Sequence, residues 1–125
     1  MISKNITMIF KDDKVSLSNK IVLYHEDRGI DIYFTLSGFN YKFKTNNLSG
    51  VAIDGKLLKP SGVLVTVNNM TVVGSDKIKF TIDEAMTDEL TEIGIHTLQI
   101  SLYDDSSKVN RITMPPITFE VKESL

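Results

Sequence analysis

The side chains able to do chemistry are few and scattered. His25 and His96 are the only histidines, and they do not stand at a metal-ligand spacing such as two histidines one helical turn apart. His96 falls on the apolar side of an alternating run, near its start, where a hydrogen-bonded histidine at the rim of a core is the ordinary reading. Asp83, Glu84, Asp88, Glu89 and Glu92 bring carboxylates into one short stretch. Such a group attracts calcium when regularly spaced oxygens flank a central glycine, and that pattern is missing, so the stretch reads as a solvated acidic turn. Gly50, Gly55 and Lys56 are spaced as in a phosphate-binding loop, but Leu57 stands where a Ser or Thr would hold magnesium, and strand patterns flank the segment. Asp54-Gly55 is therefore expected to be a tight hairpin turn. There is no Gly-x-Ser-x-Gly elbow and no Ser, His and acid grouping to single out. Asp12-Asp13 and Asp104-Asp105 are paired acids that cap backbone groups in turns. Glycosylation-like triplets at Asn5, Asn47 and Asn69 read as chance in a chain rich in Asn and Thr. No catalytic, cofactor-binding or metal-binding residue is assigned, and no cofactor is expected. The candidates for a protein contact surface are Tyr33 and Tyr103, aromatics on the polar sides of their runs, together with a mobile start over residues 1–5.

The elements that would position these residues alternate with a period of two. In residues 94–103, His96, Leu98, Ile100 and Leu102 fall on one side, and Thr97, Gln99, Ser101 and Tyr103 on the other. Residues 111–121 follow after a polar turn, with Ile117, Phe119 and Val121 alternating. Earlier strands are expected around Ile6, Met8 and Phe10, over residues 21–26, and over residues 31–37, where Ile30, Ile32, Phe34 and Leu36 share a face. Residues 39–44 form a short aromatic segment with no evident partner. Val63, Val65 and Val67, then residues 71–73, then Ile78, Phe80 and Ile82 complete the series, punctuated by Pro60-Ser61-Gly62 and Gly74-Ser75-Asp76. Only residues 83–93 leave this period: Met86, Leu90 and Ile93 have helical spacing, and Thr87 is the expected cap of one or two turns. The reading is an all-β, Ig-like antiparallel β-sandwich of seven to eight strands with one short helical turn, residues 1–125 forming a single domain. Its expected core includes Ile32, Phe34, Leu36, Val65, Ile78, Phe80, Leu98, Ile100, Leu102, Phe119 and Val121.

Composition removes several classes. A chain of 125 residues can bury roughly two-thirds of its unfolded surface without a metal or disulfide. The absence of cysteine excludes disulfides and thiolate chemistry, and fits synthesis in a cytosol. Sixteen carboxylates against fourteen Lys and Arg, with no basic run, argue against nucleic-acid and anionic-membrane partners. No apolar stretch resembles a secretory signal or is long enough to span a membrane.

The order of elements resembles the amino-terminal domain of the phage baseplate upper protein family, from tail baseplates of phages and prophages of Gram-positive bacteria. The resembling stretches are Ile30-Asp-Ile-Tyr-Phe-Thr-Leu36, the Asp54-Gly55 turn, Glu92-Ile-Gly94, Leu98-Gln-Ile-Ser-Leu-Tyr-Asp104 and Arg111-Ile-Thr-Met-Pro-Pro-Ile-Thr-Phe-Glu-Val121. They span nearly the whole chain as patterns of apolar and turn positions, so no family site is carried over residue by residue. The resemblance implies a β-sandwich without catalysis, located in the virion tail after synthesis in the bacterial cytoplasm. It implies anchoring to the distal tail hub, with receptor-binding proteins carried by downstream sequence. Members of the family usually continue past the position of Leu125, so the chain is expected to be the amino-terminal domain of a longer protein, monomeric or weakly associating when isolated. The competing expectation, from a different class, is a carbohydrate-binding β-sandwich of an adhesin or glycan-active enzyme. The lack of tryptophan and of clustered aromatics weighs against it.

Overall fold

The computed structural model describes residues 2–40, 47–105 and 107–124. The chain begins with β1 (Ile2–Lys11), which turns back as β2 (Lys14–Leu17). Asp12 and Asp13 between them have φ of 52° and 61°, the paired positive values of a type I′ turn. Next come β3 (Val22–Tyr24), β4 (Ile30–Ser37), β5 (Ala52–Leu58), β6 (Leu64–Val67), β7 (Met70–Val73) and β8 (Lys77–Ile82). A short helix, α1 (Glu84–Asp88), precedes β9 (Gly94–Tyr103), β10 (Arg111–Thr113) and β11 (Ile117–Lys122).

These strands make two packed sheets, one in the order β2-β1-β4-β8-β7 and one in the order β3-β11-β9-β5-β6, with β10 also paired to β9. The all-β sandwich follows from the alternation, because each run has one apolar face to bury. Two particulars differ from the sequence reading. Among the described residues there are eleven strands rather than seven or eight, and the pairs β1–β4 and β3–β11 are parallel. The physical reason is how the chain changes sheets. After the β1–β2 hairpin it crosses to lay β3 beside β11, then returns as β4 beside β1, a detour over residues 12–29 long enough for a parallel connection. On the opposite side the chain changes sheets again between β6 and β7, through Asn68-Asn69.

Asp54-Gly55 is not a turn. Both residues lie inside β5, and the chain reverses at residues 59–63, where Gly62 N–H donates to the Lys59 carbonyl at 2.9 Å. Gly55 is there for space: a Cβ on it would overlap the Met70 methyl, which fills the slot between the sheets. The helix is capped by Asp83, whose carboxylate accepts from Met86 N–H at 2.8 Å, not by Thr87. The hydroxyl of Thr87 instead donates to the Asp27 carbonyl at 2.7 Å, tying α1 to the turn before β4. Met86 and Leu90 are buried as their spacing required, whereas Ile93 is 49% exposed. The start of the chain from Ile2 to Asn5 is not a loose arm: it is the first half of β1, paired with β4. Of the expected aromatic segment, Phe39 packs on Phe10 with ring centroids 5.0 Å apart, and residues 41–46 lie outside the described residues.

The core contains every expected position, with Val65 only half-buried at its edge. Phe34 and Phe80 are its largest fully buried side chains. The strand pattern over residues 111–121 is one path with an interruption: Thr113 pairs with Ser101 and Ile117 with Leu98, so Met114, Pro115 and Pro116 stand opposite Gln99 and Ile100. This is a bulge, placed where the prolines have no N–H for the ladder. Among the described residues no helix is long and apolar enough to cross a membrane.

Candidate interaction surfaces

Tyr33 stands in β4, between β1 and β8, directly opposite Asn5 on one side and Lys79 on the other. Its neighbours along β4, Ile32 and Phe34, point into the core, so the ring lies on the outer face of its sheet and is half-buried there. Around it the face is polar: Ser3, Thr7, Thr35, Thr71 and Thr81 project from the same side of their strands. Asp31 also faces this way, yet it is only 8% exposed and accepts a hydrogen bond from the Thr81 hydroxyl at 2.8 Å. The Tyr33 hydroxyl makes no hydrogen bond among the described residues, which leaves it available to a partner.

Tyr103 ends β9 on the outer face of the other sheet. Its hydroxyl donates to Asp54 Oδ2 at 3.0 Å, and Lys108 Nζ lies 3.7 Å from the same oxygen and 5.1 Å from the ring centroid. Burial, and then the neighbouring Asp54 carboxylate, push the phenol above its ordinary pKa. Below it Arg111 donates through Nε and a terminal nitrogen to the Ser101 hydroxyl, at 3.2 and 3.0 Å, and leaves Ser101 only 3% exposed. The polar atoms of Tyr103 are thus committed internally. Because the two tyrosines lie on outer faces of opposite sheets, no single partner surface of sheet dimensions covers both.

The third grouping is the corner where the β5–β6 hairpin meets the entry to β9. Glu92 accepts from both the N–H and the hydroxyl of Ser61, at 2.8 and 2.9 Å, and Lys59 pairs with Glu89 at 3.0 Å. The Ser61 hydroxyl bond holds the Glu92 carboxyl below its ordinary pKa. Gly94, at φ of 130°, faces Pro60 so closely that a Cβ would lie 3.2 Å from the ring. Beneath this clamp His96 is fully buried, stacked on Phe119 with centroids 5.3 Å apart and 9° between the planes. Its Nδ1 lies 3.4 Å from the Gly94 carbonyl, and its Nε2 has no partner among the described residues. Desolvation therefore holds its pKa below the usual imidazole range, outweighing the Gly94 carbonyl.

The acidic stretch is spread over structural tasks: Asp83 caps α1 and accepts from Asn69, Glu89 pairs with Lys59, and Glu92 clamps Ser61. No group of three or more His, Asp or Glu side chains placed to hold a metal occurs among the described residues. Alternation identified the outward tyrosines and the inward His96. It gave no sign of Lys79 beside Tyr33, or of Asp54 and Lys108 around Tyr103, because those neighbours come from other strands and from a loop.

The molecule is thus, by class, an all-β sandwich of two mixed sheets whose outer faces offer surfaces for contact. No family model matches the chain, and no curated protein matches it. Among solved structures it is similar to the N-terminal domain of phage TP901-1 ORF48, with a TM-score of 0.65 and 13% identical residues, over 98% of this chain and 99% of that one. The likeness is one of fold, and it agrees with the resemblance carried by the order of strands and turns.

Proposed function

We propose that this domain is a structural interaction module of a phage or prophage tail baseplate, without catalytic activity. It anchors its protein to the distal tail hub, so that downstream sequence can carry receptor-binding proteins in the virion. The observation that supports this most is the end-to-end likeness to the N-terminal domain of ORF48, a baseplate upper protein. Tyr33 is the better contact candidate of the two tyrosines, since its hydroxyl is uncommitted and it sits mid-face between Asn5 and Lys79. Binding of one copy is weak, and strength comes from several copies held on a symmetric hub.

Co-purification with the cognate distal tail protein, using a multimeric form of the longer protein, tests the reading. Capture of that protein, reduced by Tyr33→Ala, is the expected result, and no capture overturns it. The carbohydrate-binding alternative is kept for one observation, the planar ring of Tyr33 on a polar outer face. Binding on a glycan array, lost on Tyr33→Ala and accompanied by no hub capture, would replace the baseplate reading.

A further inference from the structure

Residues 60–75 carry no charged side chain, the longest such run in a chain in which 24% of residues are charged. For a strand buried on both faces this would be ordinary. Here the run forms β6 and β7, edge strands of the two sheets. Edge strands present unpaired N–H and C=O groups, and are usually blunted by charge, proline or a covering element. The other edges follow that rule: β2 is entered through Lys11, Asp12, Asp13 and Lys14, and β3 runs on into Glu26, Asp27 and Arg28. At β6, by contrast, Val63 and Leu64 are 50% and 60% exposed.

The register shows which groups are open. Lys59 N–H donates to the Val63 carbonyl at 2.9 Å, so by alternation Leu57 with Val65 and Gly55 with Val67 are the hydrogen-bonded pairs of β5 and β6. The N–H and C=O groups of Leu64 and Thr66 therefore point away from β5, where they meet no backbone partner among the described residues. We infer that β6 pairs antiparallel with β6 of a second copy, about a two-fold axis through Val65, joining their sheets edge to edge.

That register sets Leu64 of each copy opposite Thr66 of the other, so each couple exchanges both of its hydrogen bonds and no open group is left over. The strand itself carries no charge to repel its twin, and the nearest ammonium, that of Lys56, is held on the outer face by the Thr66 hydroxyl at 2.7 Å. Leu64 and Leu58, 60% and 42% exposed, are cross-strand neighbours on the outer face of each copy, and the contact sets the two Leu64 side chains diagonally across the new ladder, so apolar surface is covered as it closes. A two-fold contact also needs only one surface to be self-complementary, the commonest route to a homo-oligomer. The contact is short, so the association is weak in dilute solution and grows when copies are held together. It stands independently of what else the domain binds.

Sedimentation velocity over a series from low micromolar to millimolar concentration tests this on the chain as it is. The expected result is a sedimentation coefficient that rises with concentration, together with slowed amide exchange at Leu64 and Thr66. Thr66→Pro removes the N–H that faces the second copy and leaves the β5 backbone ladder in place, losing on that side only the exposed bond from Lys56 to the Thr66 hydroxyl, and Leu64→Lys puts an ammonium on each strand, diagonal to its counterpart in the second copy. Both are expected to hold the coefficient flat with an unchanged melting temperature, while Val73→Lys on β7 leaves association intact. Should Thr66→Pro fail to fold, Leu64→Lys at its exposed site decides alone. A wild-type chain that stays monomeric through the series overturns the proposal, as does association that survives Leu64→Lys.

Discussion

His96 is buried without a partner for Nε2, and this single imidazole makes stability depend on pH. The unfolded chain takes up a proton there near pH 6.5, whereas desolvation keeps the folded ring neutral to lower pH. Across that interval the unfolded state binds more protons, so stability falls as pH drops from about 6.5 and levels off once the folded ring is itself protonated. Glu92, held below its ordinary pKa by Ser61, adds a second loss of the same sign further into acid. His96→Leu is expected to flatten urea midpoints between pH 7 and pH 5 and to spare the later limb. An unchanged slope in that interval would show that His96 is not the titrating group. Gly55 offers a steric test at the same scale. Gly55→Ala forces a methyl against Met70 in the packed interior and should cost about 1 to 3 kcal/mol in denaturant unfolding. Met70→Ala should cost less in the Gly55→Ala chain than in the wild type, because the two side chains compete for one space.

At the scale of elements, the β1–β2 hairpin turns through Asp12 and Asp13, both in a backbone region that L-residues occupy at a cost. Glycine carries no such penalty, so Asp13→Gly is expected to stabilise the domain by about 0.5 to 1 kcal/mol, read as a raised melting temperature. Gly38 shows the reverse case, since a Cβ there would lie 2.7 Å from the Phe10 carbonyl oxygen and the end of β4 depends on its absence. Local sequence predicted most strands, yet it misplaced the tight hairpin. Asp54-Gly55 has the favoured composition but is drawn into β5, because Leu57 and Ile53 continue an inward face opposite β9. Asp12-Asp13 has the weaker signal and makes the turn, because Lys11 and Lys14 are brought into register by the apolar pairing of Met8 with Leu17.

For the molecule as a whole, the sandwich stands on the apolar layer between the sheets, in which Phe34 and Ile100 are 0% and 1% exposed. Truncating either to Ala should cost about 2 to 5 kcal/mol, from lost transfer energy and an unfilled cavity. Denaturant midpoints equal to wild type would place them outside the core. EDTA is expected to leave the melting temperature unchanged, since three of the five carboxylates near α1, those of Asp83, Glu89 and Glu92, are engaged with Met86 and Asn69, Lys59, and Ser61. A fall reversed by calcium would turn that segment into a metal site.

Which residues face inward was determined by sequence alone, because a period of two fixes each side chain relative to its own strand: Phe34, Phe80, Ile100 and Phe119 are buried as their runs required. The all-β class follows from the same pattern. Tertiary structure decided what lies next to what. Tyr33 and Tyr103 both read as outward, but alternation says nothing about which sheet a strand joins, and pairing across long stretches of chain put them on opposite faces. The same holds for the parallel neighbours β1–β4 and β3–β11, and for the uncharged edge at β6, whose meaning changes from core to surface once its place in the sheet is known. Side-chain direction is a local property of the backbone, whereas adjacency is settled by packing of the whole apolar layer at once.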